Sequence, residues 1–263
     1  MIKKFQIELL VLGVLILNFF VSYNIDIGFY NFFQNLNNSL QNVYLKEFFE
    51  QITILGDSKW YFILSLFAIL ISYVLKIFLQ PSKKNGVQFF LKMGVFLFLS
   101  LFITGLITQI LKHLVGRPRP SYITSNNNIG FEFINFNSEF HSFPSGHTST
   151  IFIVALVLVC LMPKLKYLFF LSAGLIAFSR IVVGAHFFTD VVGGVAISCL
   201  GIKLTKLFLD KYYPINTIKK VRLFYDNNIC SALIIFFFLI VIFAVSPSID
   251  IYFSSLFYYG KSH

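Results

Sequence analysis

Long runs without charged residues restrict what this chain can fold into. Residues 9–25, 60–75, 93–111, 140–163 and 227–249 contain no Asp, Glu, Lys or Arg, and residues 167–185 and 187–202 contain one charge each. A bilayer crossing needs about 20 mostly apolar residues. Charged residues make up 12% of the chain, about half the share in a soluble domain. The sequence therefore predicts an all-α fold, a polytopic bundle of seven transmembrane helices, with the fourth helix beginning near Thr148.

The basic residues indicate how this bundle lies in the membrane. With Met1 in the cytoplasm, seven crossings place fourteen of the 21 Lys and Arg residues on the inner side, as the positive-inside rule requires. The net charge of +10 is then a topology signal and does not indicate nucleic-acid binding. We expect residues 1–263 to form one integral-membrane domain of a bacterial inner (cytoplasmic) membrane, with 227–249 as an extra C-terminal span.

The polar stretch between the first two spans contains a helical pattern. Phe29, Phe33, Leu36, Leu40 and Val43 recur at helical spacing, with Asn and Gln between them. This pattern predicts an amphipathic helix in the outer interface. A loop packed on the top of the bundle is the alternative.

Three polar segments interrupt the apolar runs at the ends of predicted spans. The first runs from Lys112 to Pro120, the second from Phe143 to Thr148, and the third contains Ser179-Arg180 and residues 186–190. In the seven-span topology all three emerge on the outer side of the membrane. Charges at such positions are expensive, so each suggests a function.

The residue types in these segments suit an anion. Lys112, Arg119 and Arg180 are three cations with no paired acid between them, and they would repel one another strongly unless an anion lay among them. Ser145 and Gly146 stand at a helix start, where a hydroxyl and unpaired backbone N–H groups form a phosphate site.

The same segments supply groups for proton transfer and nucleophilic attack. His186 and Asp190 are four residues apart, so on a helix the carboxylate could accept a hydrogen bond from one imidazole nitrogen and leave the other as nucleophile. His147 is available to protonate a leaving oxygen. Together these groups predict phosphoryl transfer. Because the chain has no HExxH motif and no cluster of carboxylates, we expect neither a metal nor a cofactor.

The spacing of these residues resembles that of a known family. Lys112, six residues and Arg119-Pro120 match its first motif; Pro144-Ser145-Gly146-His147 match the second; Ser179-Arg180, His186 and Asp190 match the third. The chain resembles the type 2 phosphatidic acid phosphatase (lipid phosphate phosphatase) superfamily, which includes the vanadium haloperoxidases. This resemblance covers residues 112–190.

The resemblance implies a metal-independent phosphatase with a core of six membrane helices. It also implies that His186 forms a phosphohistidine with help from Asp190 and that His147 protonates the leaving alcohol. The phosphate would be held by Lys112, Arg119, Ser145, Gly146 and Arg180.

The substrate is expected to be a lipid or polyprenyl phosphate or diphosphate at the outer leaflet. Undecaprenyl diphosphate is favoured, followed by phosphatidylglycerophosphate or phosphatidic acid and then lipid A. The hydrophilic segment 121–141, with Asn126, Asn127, Asn128 and Glu132, is expected to select the headgroup. A lipid-phosphate transporter and a non-catalytic lipid-binding protein are the alternatives of another class, and a phosphate-release assay separates them from a phosphatase.

Other polar and small residues are expected to have structural roles. The sequence predicts an interfacial or headgroup contact for Arg117 and a structural role for His113. His141 is placed near the mouth of the site. Gly193 and Gly194 are expected to allow close helix packing.

Overall fold

The computed structural model describes residues 13, 26–28, 30–35, 43–79, 84–126 and 130–212. Its helices are α1 (Val43–Thr53), α2 (Ser58–Phe78), α3 (Lys84–Val115), α4 (Pro120–Asn126), α5 (Gly146–Leu161), α6 (Lys166–Val182) and α7 (Phe188–Tyr212), with short 3₁₀ turns at Ile54–Gly56, Ser138–Phe140 and Pro163–Leu165. Residues 26–28 and 30–35, which we call the N-terminal segment, are also helical. Within these ranges the fold has no β-strand, which confirms the predicted all-α class.

Several of these helices are suited to a membrane. Four helical stretches are long and apolar enough to cross it, namely Lys46–Phe78, Gly86–Val115, Pro163–Val182 and Phe188–Lys211. Gly146–Leu161 is a shorter apolar helix. The chain is thus a multi-pass membrane protein, and α2, α3, α5, α6 and α7 correspond to five of the seven predicted spans. The predicted spans 9–25 and 227–249 lie outside the described residues.

The helices begin and end differently from the charge-free runs that predicted them. α3 begins at Lys84 instead of residue 93, and α7 continues to Tyr212 instead of 202. A charge-free run marks the apolar part of a helix, whereas the helix itself continues past Lys203 and Lys206. α5 begins at Gly146 because Ser145 caps it, accepting a hydrogen bond from the Thr148 N–H.

The surface of α2 is apolar and its inner face is polar. Its buried residues are Ser65 and Ser72. Its large apolar side chains point outward, among them Ile63, Leu64, Phe67, Leu70, Ile77 and Phe78. This arrangement suits a helix that faces lipid, because lipid chains solvate apolar side chains and a serine finds hydrogen-bond partners only within the protein. The Ser65 hydroxyl, for example, donates to the Phe62 carbonyl at 2.8 Å.

α5 is the central helix of the described bundle. It packs against α3, α6 and α7, and twelve of its residues are buried. Close approach of α7 depends on glycine. A Cβ at Gly193 would lie 2.2 Å from the Phe143 ring, and one at Gly194 would lie 2.7 Å from the Ser145 carbonyl oxygen. The prediction that this pair allows close packing is confirmed.

The N-terminal segment packs on the end of the bundle that carries the three polar segments. The Phe33 ring meets the Phe178 ring of α6 edge-on, with centroids 5.4 Å apart. A Cβ at Gly184 would lie 2.6 Å from Gln34 Nε2. Part of the predicted amphipathic helix is thus helical and packed on the bundle, and Val43 begins the separate helix α1. Phe29, Leu36 and Leu40 lie outside the described residues.

Candidate active site

Four helix ends meet at the candidate site. α3 and α6 end there, and α5 and α7 begin there. The turn between α6 and α7 is held by the Arg180 carbonyl, which accepts from the Ala185 and His186 N–H groups at 3.0 and 3.1 Å. The Ser145 N–H donates to the Asp190 carbonyl at 3.0 Å. The predicted convergence of the three polar segments is therefore confirmed.

A glycine at the end of α3 turns the chain into the site. Gly116 has a φ of +55°, a conformation that glycine adopts without steric cost. A Cβ there would lie 1.5 Å from the Glu132 carbonyl oxygen, because residues 130–141 pass across the end of α3. The Glu132 N–H donates to the Gly116 carbonyl at 2.8 Å, and the Arg119 N–H donates to the Glu139 carbonyl at 2.8 Å. This loop fixes the backbone of the first polar segment.

The two histidines outside the motifs, His113 and His141, contact each other where this loop meets α3. The rings of His113 and His141 lie 4.4 Å apart between centroids. His113 Nδ1 lies 2.7 Å from the Gln109 carbonyl oxygen, and His141 Nε2 lies 3.0 Å from that of Asn135. Both therefore hold the loop against α3, which agrees with the structural role predicted for His113. Asn127 and Asn128 lie outside the described residues.

The three predicted cations face the start of α5. A Cβ at Gly146 would lie 3.8 Å from Lys112 Nζ. Lys112 is close enough to Arg119 and Arg180 for their charges to act on it. Arg180 is 9% exposed, and its Nη1 donates to the Thr53 hydroxyl at 2.7 Å. Its Nε is buried and has no hydrogen-bond partner among the described residues.

No described carboxylate neutralises these cations. None lies within 4.0 Å of the Lys112, Arg119 or Arg180 nitrogens in the part of the chain that the structure describes. The first N–H groups of α5, at Gly146 and His147, have no acceptor within their own helix. The positive end of the helix dipole adds to the three charges. The arrangement can bind an oxyanion at this point.

The two motif histidines lie close enough to this positive region for the charges of Lys112 and Arg180 to act on both of them. His186 is 3% exposed and lies in the turn before α7. Burial lowers the pKa of His186 to about 4, and the Asp190 charge opposes this only in part, so the imidazole is neutral at neutral pH. His147, on the first turn of α5, packs against Gly56, where a Cβ would lie 2.9 Å from its own Cβ. The charges of Arg180 and Lys112 act on His147.

The predicted hydrogen bond between His186 and Asp190 is not formed. His186 Nδ1 lies 3.7 Å from Asp190 Oδ2, which is beyond hydrogen-bond distance, because His186 precedes α7 and does not share its helical spacing. Asp190 Oδ2 accepts instead from the Ser142 hydroxyl at 2.6 Å and from the Phe187 N–H at 2.9 Å. The carboxylate thus joins the third polar segment to Ser142, the residue just before the second segment.

Arg117 binds the other Asp190 oxygen, which corrects the prediction of an interfacial or headgroup contact. The guanidinium is 5% exposed, and its Nη1 donates to Asp190 Oδ1 and to the Thr189 hydroxyl. Its Nη2 donates to Asp26 of the N-terminal segment. Burial acts to lower the pKa of Arg117, but the charges of Asp190 and Asp26 raise it above its usual value. Sequence spacing gave no signal for the contact with Asp26, because the two residues are 91 positions apart.

A cavity of about 210 Å³ opens beside Lys112 and His147. The cavity is lined by Asp57 and Ser58 at the start of α2 and by Thr108 and Gln109 of α3. Its deeper wall is apolar, with Phe62, Leu101 and Ile153. The cavity therefore offers polar groups near the cations and apolar groups further along the helices. Among the described residues, no three His, Cys, Asp or Glu side chains are grouped so that they could hold a metal ion.

Comparison with known proteins assigns the fold that carries this site. Residues 93–214, from within α3 to just beyond α7, match the model of the PAP2 superfamily. Over these residues the chain is similar to the PAP2 superfamily. The resemblance that the three motifs indicated is confirmed.

Two relatives and one solved structure illustrate the similarity. The chain is 28% identical to a lipid A 1-phosphatase of Rhizobium etli over 153 residues, which are 58% of this chain and 66% of the relative. It is 31% identical to a putative undecaprenyl-diphosphatase, YbjG, of Escherichia coli over 115 residues, 43% of this chain and 54% of that protein. The chain thus spans just under two thirds of the first relative and about half of the second.

The solved structure is that of a transmembrane PAP2 type phosphatidylglycerolphosphate phosphatase from Bacillus subtilis. It superposes with a TM-score of 0.54 at 24% identity, covering 81% of this chain and all of that one. This similarity confirms the fold, a transmembrane helical bundle of the PAP2 type.

Proposed function

We propose that this PAP2 protein is a membrane lipid phosphatase that works through a phosphohistidine. One observation carries the proposal: Lys112 lies at the start of α5, close to Arg119 and Arg180, and the three cations have no carboxylate partner among the described residues. The charges of Lys112 and Arg180 also act on both His147 and His186. A phosphate group would satisfy this charge, and the histidines are the groups that its transfer requires.

His186 is the nucleophile in this mechanism. Its Nδ1 faces Asp190, so Nε2 attacks the phosphorus and forms a P–N bond while the bond from phosphorus to the leaving oxygen breaks. The leaving oxygen takes the proton that His147 carries. A water molecule, deprotonated by His147, then attacks the phosphohistidine, and inorganic phosphate leaves as neutral His186 is restored.

The phosphate oxygens lie among the cations during both steps. Lys112 supplies a point charge, Arg119 and Arg180 supply planar donors, and the N–H groups of Gly146 and His147 point along the helix dipole. The buried Nε of Arg180, which has no partner in the part of the chain that the structure describes, is a donor available to such an oxygen. Ser145 contributes by capping α5 and thereby orienting these N–H groups.

The cavity beside His147 holds the leaving group. Its polar part lies next to the group that protonates the leaving oxygen, and its apolar wall continues along α2, α3 and α5. A lipid can therefore place its headgroup among Ser58, Thr108 and Gln109 while its chains stay between membrane helices. The segment 121–141 is predicted to select the headgroup. Besides α4, the structure describes its residues 130–141, and this loop borders the same end of the bundle.

Two lipids are the leading substrates. Undecaprenyl diphosphate is the substrate that the sequence favours, and a relative with that activity in its name matches 43% of this chain. Lipid A 1-phosphate is the second candidate, because two lipid A 1-phosphatases match 58% and 62% of this chain. Phosphatidylglycerophosphate and phosphatidic acid are included in the test below. We place the site on the periplasmic or exterior face of the inner membrane, since this orientation leaves most Lys and Arg residues inside.

A phosphate-release assay tests the proposal. Purified full-length protein in detergent is given lipid A, undecaprenyl diphosphate, phosphatidylglycerophosphate and phosphatidic acid, and inorganic phosphate is measured. We expect release from at least one lipid and none with His186→Ala. Quenching the wild type with an alkaline denaturant should trap a phosphoenzyme that is stable in base and labile in acid, as a phosphoramidate is. Lipid movement across vesicles without phosphate release would instead indicate a transporter, and binding alone a non-catalytic protein.

A further inference from the structure

Arg117 joins two buried carboxylates behind the proposed nucleophile. Its two terminal nitrogens contact different acids, Nη1 with Asp190 and Nη2 with Asp26. Asp190 is fully buried, Asp26 is 1% exposed and Arg117 is 5% exposed. The ring of Phe187, the residue after His186, covers the guanidinium, with its centroid 4.6 Å from Cζ. These contacts place an ion network directly behind the turn that carries His186.

Asp26 also binds the start of α7. Its Oδ1 accepts from the Thr189 N–H at 3.1 Å, and its Oδ2 accepts from the Thr189 hydroxyl. The first N–H groups of a helix have no partner within the helix, and a carboxylate there is stabilised by the helix dipole. Asp26 therefore performs for α7 the function of a capping residue, although it precedes Thr189 by 163 positions.

Stability alone does not account for such a network. Desolvation of buried charges often cancels their attraction, so an apolar cluster of similar volume would hold these helices at least as well. What the charges add is direction, because a guanidinium contacts two carboxylates only in a fixed geometry. That geometry determines the position of Asp190 Oδ1. It thereby also determines the position of Oδ2, which faces His186 Nδ1 at 3.7 Å.

We propose that Asp26 and Arg117 are positioning residues for the phosphatase reaction. Arg117 holds the Asp190 carboxylate, Asp26 holds both Arg117 and the first turn of α7, and together they place the imidazole of His186 for attack. The N-terminal segment is then part of the active site, although it lies outside residues 93–214, which match the family. This inference rests on the proposed function.

The first test compares Asp26→Asn with Asp210→Asn. Asparagine keeps the shape of the side chain and removes the charge that holds Arg117. We expect kcat to fall about 10- to 100-fold, the loss seen when groups that orient a metal-bound histidine are removed, with KM changed less than about threefold. Asp210 is exposed near the end of α7, and Asp210→Asn should leave both constants unchanged. A kcat within twofold of the wild type in Asp26→Asn would overturn the proposal.

A double-variant comparison tests whether Asp26 acts through Asp190. If it does, Asp26→Asn combined with Asp190→Asn should lose no more kcat than Asp190→Asn alone, because coupled residues are not additive. Losses that multiply would overturn the proposed route. Arg117→Lys keeps the charge but cannot contact both acids in the same way, so its kcat should also fall about tenfold or more.

Hydrogen exchange followed by mass spectrometry separates this inference from the proposed function. Asp26→Asn should speed amide exchange across residues 184–190, because a neutral amide with one acceptor oxygen replaces the carboxylate that binds the Thr189 N–H, the Thr189 hydroxyl and Arg117, while exchange in α2 stays unchanged. A wild-type protein that releases no phosphate from any lipid would contradict the proposed function, and the exchange result would still test the link from Asp26 to α7. Faster exchange with an unchanged kcat would mean that Asp26 only caps α7 and does not position His186. Unchanged exchange would mean that Asp26 does not hold the first turn of α7.

Discussion

The Asp190 carboxylate faces His186 at 3.7 Å but takes its short hydrogen bonds from Arg117, Ser142 and the Phe187 N–H. It therefore joins the first and third polar segments to Ser142, the residue just before the second segment. The distance to His186 also leaves room for the imidazole to move toward the carboxylate once a phosphate binds on its other side. In the proposed mechanism, Asp190 is thus placed to stabilise the positive charge that develops on His186 during attack.

Asp190→Asn should lower kcat by roughly 10²–10⁴, the range in which an asparagine in place of an orienting aspartate disables a catalytic histidine. The amide cannot accept the hydrogen bonds of both Arg117 and Ser142 as a carboxylate does, and it carries no charge for the imidazolium. Phosphate release per folded protein is the measurement, with the folded fraction taken from size-exclusion chromatography. Ser142→Ala removes one donor only and should cost less than about tenfold. Equal losses for the two variants would contradict the central role of the carboxylate.

Gly56→Ala should disturb His147. A Cβ at this position would lie 2.9 Å from His147 Cβ and 3.0 Å from Cδ2, so the imidazole must move. If His147 protonates the leaving group, kcat should fall most for substrates with poor leaving groups, by about 10-fold or more, and least for an aryl phosphate. Gly174→Ala is the matched control, because nothing lies within 4 Å of its added Cβ. A uniform loss across leaving groups would argue against proton transfer by His147.

Gly201→Ala should destabilise the contact between α3 and α7. A Cβ there would lie 1.8 Å from the Thr104 hydroxyl oxygen and 3.3 Å from the Thr104 Cα, so a side-chain rotation alone does not relieve the second contact. Overpacking of this kind costs about 1–3 kcal/mol. We expect a lower midpoint of thermal inactivation in detergent, with Gly174→Ala close to the wild type. An unchanged midpoint would show that α3 and α7 can move apart to accept the methyl group without a loss of stability, which would contradict this prediction.

The acid limb of kcat/KM should lie well below pH 6.5. Burial lowers the pKa of His186 to about 4, so the nucleophile stays neutral and reactive until the pH falls toward that value, and activity is lost as it becomes protonated. The measurement is kcat/KM from pH 3.5 to 8, which reports ionisations of the free enzyme and substrate. The ionisation of the substrate phosphate is followed separately by ³¹P NMR and divided out. An enzyme ionisation near 6.5 would mean that His186 is not desolvated as its position indicates.

Vanadate should inhibit, and EDTA should not. Vanadate takes the trigonal-bipyramidal arrangement of a phosphoryl group in transfer, so it should bind among Lys112, Arg119 and Arg180 with His186 Nε2 as a ligand. His186→Ala should weaken this inhibition at least tenfold. Loss of activity in EDTA that added Mg²⁺ or Zn²⁺ restores would contradict the metal-independent mechanism.

Much of the site was predictable because its residues occur at helix ends. Lys112 ends one apolar run, His147 begins the next, and His186 stands between two later runs. The end of one membrane helix and the start of the next lie on the same side of the membrane, and every second connection returns to that side. This rule brought the segments together before any contact was known. The role of Arg117 was predicted wrongly, since a basic residue between motif positions at a membrane surface favours a headgroup contact, and only its burial reveals another partner.

The sequence by itself determined the apolar helices, the order of the three polar segments and the end of the bundle where they meet, because these depend on local composition and on the need of each backbone in lipid to form helices. The tertiary structure alone decided that Asp26 and Asp190 share one guanidinium and that Asp190 stands 3.7 Å from His186. Such pairings are set by which side chains are buried together, and burial depends on the packing of segments that are far apart in the chain.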